Sequence, residues 1–279
     1  MPELPEVETI KKTLEHLVLG KTIERVTVFW PNIVQEPDDT SAFSTVVQGQ
    51  TIQKLRRRGK FLLFYLDTHI LISHLRMEGK YGVFEEGTPV AKHTHVIFHF
   101  TDGYELRYHD VRKFGTMHVF PIGEEWNRDP LKKLGPEPFD VSFSTEHLAQ
   151  RLRKTSRFVK TALLDQTIVA GLGNIYVDEA LFRASIHPMR VSSDLNEKEV
   201  NALHKSIIDT LEEAVQQGGT TIRSYVNTQG QIGMFQHQLY VYGREEEECR
   251  VCTTPVSKMK VGGRGTHVCL KCQKIQASE

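Results

Sequence analysis

The sequence predicts an α+β fold of two unlike domains, an N-terminal helix with a layer of short strands and then a helical half that ends in a zinc-held β-hairpin. Three observations predict it. Short runs rich in Val, Ile, Phe and Tyr, parted by Gly, Asp and Thr turns, crowd residues 22–120, the pattern of a β-sandwich or barrel. From "STEHLAQRLRK" onward the apolar spacing becomes helical. The four cysteines of the chain stand at its end as two Cys-x-x-Cys pairs.

Taken in order, "PEVETIKKTLEHLVLGK" reads as a first helix, because Val7, Ile10, Leu14 and Leu17 recur at three- and four-residue spacing and Gly20 supplies a stop. The runs "TIERVTVFW", "KFLLFYL", "HILISHL", "HVIFHF", "YELRYHD" and "GTMHVF" follow as strands. At "KKLGPEPFDVS", residues 132–142, two prolines and a glycine interrupt both patterns. The expected division is therefore a domain over 1–135, a linker at 136–142, a helical domain over 143–240 and a finger over 241–279. In the helical part, "VKTALLDQ" and "NIYVDEALFRA" flank a glycine-rich break, and a longer helix occupies "NEKEVNALHKSIIDTLEEAVQQGG". Asn196 is its N-cap, Glu199 completes a capping box, Leu195 and Val200 form a hydrophobic staple, and Gly218 and Gly219 end it.

Composition narrows the function. No apolar run reaches the roughly 18 residues that span a bilayer, and the start lacks the basic and apolar regions of a secretory signal, so a soluble, cytoplasmic protein without membrane partners is expected. The 35 basic and 35 acidic residues balance, which argues mildly against a nucleic-acid binder. The charge is unevenly placed, however. "KLRRRGK" at 54–60 and "RLRKTSRFVK" at 151–160 hold no acid, whereas "EEEE" at 245–248 holds much of the compensating charge. A basic face can coexist with a zero total.

Cys249, Cys252, Cys269 and Cys272 have the spacing of a paired-knuckle zinc site. A chain without a secretory signal argues against disulfides, and four thiolates leave no open coordination position, so one structural zinc per chain is expected. Between the pairs, "VSKMKV" and "THVC" around "GGRG" read as a basic hairpin, suited to nucleic acid or to a protein partner. In "LLDQTIVAGLGNIYVDEALFRASIHP", Gly171 and Gly173 permit positive φ and Asn174 is expected to cap the next helix. A helix start behind a glycine turn is a ready phosphate site.

The "MPELPEVET" start, that two-helix stretch and the Cys-x-x-Cys finger together resemble the bacterial formamidopyrimidine-DNA glycosylases, over nearly the whole chain. The resemblance implies a β-sandwich, a helix–two-turns–helix motif, and excision of 8-oxoguanine and formamidopyrimidines from duplex DNA opposite cytosine by a monomer, with abasic-site lyase activity. It implies that Met1 is removed and that the Pro2 amine is the nucleophile, with Glu3 as general acid/base, Glu6 in support, and Lys60 on phosphate near the lesion. An α-amine with a pKa of about 7.7–8.0 is partly neutral at cell pH, which suits that role. Met77, Arg112 and Phe114 would fill the gap left by a flipped base. Asn174 and Arg264 would touch phosphate, with His74, His93, Lys160 and Tyr242 as further DNA contacts and Arg264 a further proton-transfer candidate. The polar stretch 218–238 would cover the flipped purine. Three positions depart from the family pattern: Arg76 and Thr253 where glycine is usual, and Leu270 where proline is. The rivals are an endonuclease-eight-type glycosylase, whose start reads "PEGPE" rather than "PELPE", and a non-catalytic zinc-ribbon DNA binder.

Overall fold

The computed structural model describes residues 1–220 and 233–275. The chain divides into two compact units, one of residues 1–132 and 218–234, the other of 133–217 and 235–279. Most of the expected covering loop, 221–232, lies outside the described residues.

The first unit opens with helix α1 (Leu4–Val18), whose Val7, Ile10 and Leu14 are buried at the predicted spacing. Strands β1 (Ile23–Val28) and β2 (Val34–Glu36) precede a short helix α2 (Thr40–Val47), capped by the Asp39 carboxylate on the Ala42 N–H. Strands β3 (Lys54–Arg58), β4 (Phe61–Tyr65), β5 (His69–His74), β6 (Lys80–Glu85), β7 (Thr94–Phe100), β8 (Tyr104–His109) and β9 (Thr116–Pro121) follow. They form two sheets, ordered β1-β7-β8-β6 and β2-β9-β5-β4-β3. Leu62, Phe64, Leu71 and Met117 of the second sheet share one core with Val96, Phe98 and Leu106 of the first and with α1. A sandwich, not a barrel, is the outcome. The basic strip at 54–58 is edge strand β3, with Leu55 turned into the core and Lys54 and Arg56 outward. Its charges left no apolar run from which a strand could be read.

The second unit holds α3 (Thr145–Arg153), α4 (Val159–Leu163), α5 (Asn174–Arg183) and α6 (Glu197–Gln216), with a 3-10 turn at Ser192–Asp194 between the last two. The capping box of α6 forms as its sequence requires: Asn196 Oδ1 accepts from the Glu199 N–H at 3.0 Å, and Glu199 Oε2 from the Asn196 N–H at 2.8 Å. Strands β10 (Ser257–Val261) and β11 (Arg264–Val268) form an antiparallel hairpin with Gly262 and Gly263 at its tip, both at positive φ. Residues 218–220 belong with the first unit rather than with the helical one, and there the Glu6 carboxylate accepts the Thr220 N–H at 2.8 Å.

Candidate functional site

In the first unit the candidate residues gather at the start of α1, at two strand turns and in the loop after β8. Glu3 is only 1% exposed and Pro2 is buried, whereas Met1 is 37% exposed. The geometry of this terminus is fixed by Glu6: its Oε2 accepts the Glu3 backbone N–H at 2.9 Å while its Oε1 accepts from Thr220. A carboxylate within the first helical turn also suits the positive end of the helix dipole.

Lys60 lies buried in the turn between β3 and β4. That turn is tied to α1 through Arg57, whose Nε donates to Glu8 at 2.9 Å and whose Nη1 donates to the Gly59 carbonyl at 3.1 Å. On β5, His74 pairs in register with Phe61, its ring 4.5 Å edge-on from that aromatic. Burial, with help from the Arg76 and Lys60 charges, lowers the His74 pKa to about 3. The ring is therefore neutral, and its Nδ1 accepts the Arg76 N–H at 2.9 Å, which leaves the proton on Nε2, a donor. His118, on the neighbouring strand β9, is lowered to about 4, first by burial and then by Arg76.

Two loops carry the proposed gap-filling side chains. Met77 is half-buried in the turn 75–79, and Arg112 and Phe114 stand in the loop 110–115. Phe114 is 51% exposed, with the Arg112 guanidinium 4.8 Å from its ring centroid. The loops meet at the buried Tyr108 hydroxyl, against which a Cβ at either Gly79 or Gly115 would overlap. His93 flanks the same place, half-buried at φ +69°.

The expected departures from family pattern have a structural counterpart. Arg76 has φ +53° and Thr253 φ +60°, so both occupy the left-handed region that favours glycine. Leu270, between the last two cysteines, is half exposed.

In the second unit the structure corrects three expectations. Lys160 is fully buried, its ammonium donating to Asp178 Oδ1 at 2.6 Å and to the Gly265 carbonyl at 3.0 Å. It ties α4 and α5 to the hairpin from inside the protein, although most of its basic neighbours in the strip are exposed; a basic strip in sequence does not reveal which of its lysines turns inward. Asn174 is not the helix cap. Gly173 holds that position, and Asn174 Nδ2 reaches the Gly265 carbonyl at 2.8 Å. Of the two glycines, Gly171 alone uses positive φ, at +95°.

The residues that sequence reading missed are two buried acids. Asp178 Oδ2 accepts the His267 N–H at 2.9 Å, and Glu179 accepts the N–H groups of Tyr240, Val241 and Tyr242 at 2.8–2.9 Å. Their signal was an adjacent acid pair within the apolar run "NIYVDEALF". Gln166 stitches the α4–α5 turn, accepting from Gly171 and donating to the Leu164 and Leu172 carbonyls. Glu179 thereby fixes the backbone at Tyr242, whose ring packs 5.0 Å from His267, while Arg264 lies exposed at the hairpin tip.

The four cysteines are free thiols whose sulfurs all lie within 4.8 Å of one another. The Cys252–Cys269 and Cys249–Cys272 separations of 3.4 and 4.0 Å bracket the roughly 3.8 Å edge of a tetrahedron with Zn–S bonds of about 2.3 Å. The donor set fits one structural zinc, which holds both knuckles. Gln273, buried beside them, accepts the Cys269 N–H and donates to the Ile186 carbonyl, fastening the knuckle to the helical unit.

Three family models match the chain: the formamidopyrimidine-DNA glycosylase N-terminal domain over 1–117, its H2TH domain over 134–226, and the zinc finger found in FPG and IleRS over 246–275. The chain is 60% identical to the formamidopyrimidine-DNA glycosylase of Oceanobacillus iheyensis over 98% of each protein. It is 58% identical to that of Bacillus subtilis, over 98% of this chain and 99% of the other. Among solved structures, a Lactococcus lactis FPG mutant bound to a Fapy-dG containing DNA superposes with a TM-score of 0.93 at 42% identity, covering 98% of this chain and 100% of that one. The L. lactis Fpg bound to an abasic site containing DNA gives 0.92 at 41%, with the same coverage. With the sandwich, the two-helix turn and the four-thiolate finger all in place, the chain belongs to the formamidopyrimidine-DNA glycosylase family.

Proposed function

We propose that the protein is a monomeric, cytoplasmic base-excision repair glycosylase and abasic-site lyase that removes 8-oxoguanine and formamidopyrimidines lying opposite cytosine in duplex DNA. The observation that carries the reading is the terminus of α1, where Pro2 is buried next to Glu3 and Glu6 anchors the backbone between them. A frayed chain end has no reason to be held this way. With Met1 removed, Pro2 offers a secondary amine in place of an inert amide.

The amine nitrogen bonds to the sugar C1′ as the bond from C1′ to the purine breaks and the base departs with a proton. Glu3 donates a proton to the ring oxygen, the C1′–O4′ bond opens, and the nitrogen lone pair forms an iminium. A secondary amine makes this cation without needing protonation. Loss of the C2′ proton into that electron sink expels the 3′ phosphate, and loss of the C4′ proton expels the 5′ phosphate. Lys60 grips phosphate at the lesion, and neutral His74 offers its Nε2–H to the same backbone. Met77, Arg112 and Phe114 fill the emptied stack, Arg112 hydrogen-bonding the orphaned cytosine.

The test is a duplex with one 8-oxoguanine opposite cytosine, incubated with the protein and sodium borohydride, followed by peptide mass spectrometry. The expected result is a reduced sugar adduct on a peptide beginning at Pro2. Pro2→Gly should retain weak base removal, and Glu3→Gln should lose it. Duplex binding with zinc in place but no adduct would leave a non-catalytic DNA binder.

A further inference from the structure

Asp110, at the end of β8, is fully buried and has no part in the proposed chemistry. Its carboxylate is filled by the backbone of the loop that follows. Oδ1 accepts the Arg112 N–H at 3.0 Å, and Oδ2 accepts the N–H groups of Phe114 and Gly115, both at 2.9 Å. The remainder of the residue is fixed as well. Its N–H donates to the His93 carbonyl at 3.0 Å, its carbonyl lies 2.8 Å from His95 Nε2, and the Tyr108 hydroxyl approaches Oδ2 at 3.5 Å.

The loop is thus wound around one carboxylate while its side chains are left outside. Lys113, between the two exposed residues, takes φ +58°, which turns the backbone back toward the carboxylate, and its ammonium rests 4.1 Å from the Trp30 ring centroid. We propose that Asp110 is the positioning residue that holds Arg112 and Phe114 as a rigid wedge before DNA arrives. This rests on the gap-filling role given to them under the proposed function. A wedge ordered in advance loses little conformational entropy on insertion, and three converging N–H groups call for an acceptor-only side chain. Asparagine has nearly the same shape but turns an NH2 group toward one of those donors.

Asp110→Asn should lower kcat/KM on an 8-oxoguanine duplex by about tenfold or more, yet leave cleavage at an abasic site in a single strand, which has no gap to fill, within about twofold. In an Arg112→Ala/Phe114→Ala background the same substitution should have no further effect. Full duplex activity, equal loss on both substrates, or an additive loss in that background would overturn the positioning role. Amide exchange on the unaltered protein decides the matter even where the variant does not fold. The Arg112, Phe114 and Gly115 amides should be protected although their loop is exposed, and exchange at free-peptide rates would refute the proposal. An unaltered protein that does not cut lesion duplexes but does protect those amides would defeat the functional reading and leave the wedge geometry standing.

Discussion

Arg76 shows how a charged side chain can add to burial in keeping its neighbours neutral. It occupies a left-handed turn that costs an ordinary residue roughly 1–2 kcal/mol, and its charge adds to burial in lowering both His74 and His118. A histidine whose folded pKa lies below its unfolded value of 6.5 contributes fully above that value. Its contribution is lost as pH falls, here toward about 3 for His74 and about 4 for His118. Each such histidine adds a slope of up to about 1.4 kcal/mol per pH unit inside its window. Urea midpoints measured from pH 7 to pH 4 should therefore fall less steeply in Arg76→Gly than in the unaltered protein. An identical acid limb in the two would mean that Arg76 is not coupled to these rings. At pH 7 both histidines are neutral, so the DNA contact proposed for His74 is a hydrogen bond donated by Nε2 and not a charge.

Helix α5 is the organising element of the second unit. Its first turn meets the Gly265 carbonyl through Asn174, and its buried acids Asp178 and Glu179 receive Lys160, the His267 N–H and three consecutive backbone amides. Single removal of one partner from a buried ion pair costs about 3–5 kcal/mol, because the other charge is left without compensation. Lys160→Met should accordingly lower stability by about that much in urea, while leaving the salt dependence of DNA binding unchanged. Arg264→Ala should do the opposite, with an unaltered melting temperature and a log K against log salt slope shallower by about 0.9, the value for one phosphate contact. A reduced slope in Lys160→Met would return that residue to the DNA-binding face.

At the scale of the molecule, the two units differ in construction, and each carries candidate residues of its own. The first has a large shared core between two sheets, whereas the small hairpin has few apolar residues of its own and depends on metal and on buried polar anchors. Chelation of the zinc should release one ion per chain and abolish duplex binding measured by fluorescence anisotropy, since the exposed Arg264 rides on the hairpin that the thiolates close. Retained affinity after complete zinc loss would exclude the finger from the DNA-binding surface. The zero net charge does not oppose nucleic-acid binding, because basic Lys54 and Arg56 project outward from β3 while acids collect elsewhere, as at 245–248.

The sequence by itself determined what local signals encode. The periodicity of α1, eight of the strands, the two of the finger hairpin among them, the capping box of α6 and the ligand spacing of the finger were all legible, because each depends on residues close together in the chain. Strand β3 was hidden by its own arginines, and β2, β6 and α2 were too short or too weakly patterned to stand out. Only the tertiary structure decided which charged residues turn inward. Lys160 reads like its basic neighbours until Asp178 and Gly265 are brought to it, and Asp110 reads as the last residue of a strand until the following loop folds back onto its oxygens. The physical reason is that a buried charge is tolerated only where partners satisfy it. Where those partners lie far along the chain, as Gly265 does from Lys160, no local pattern announces them.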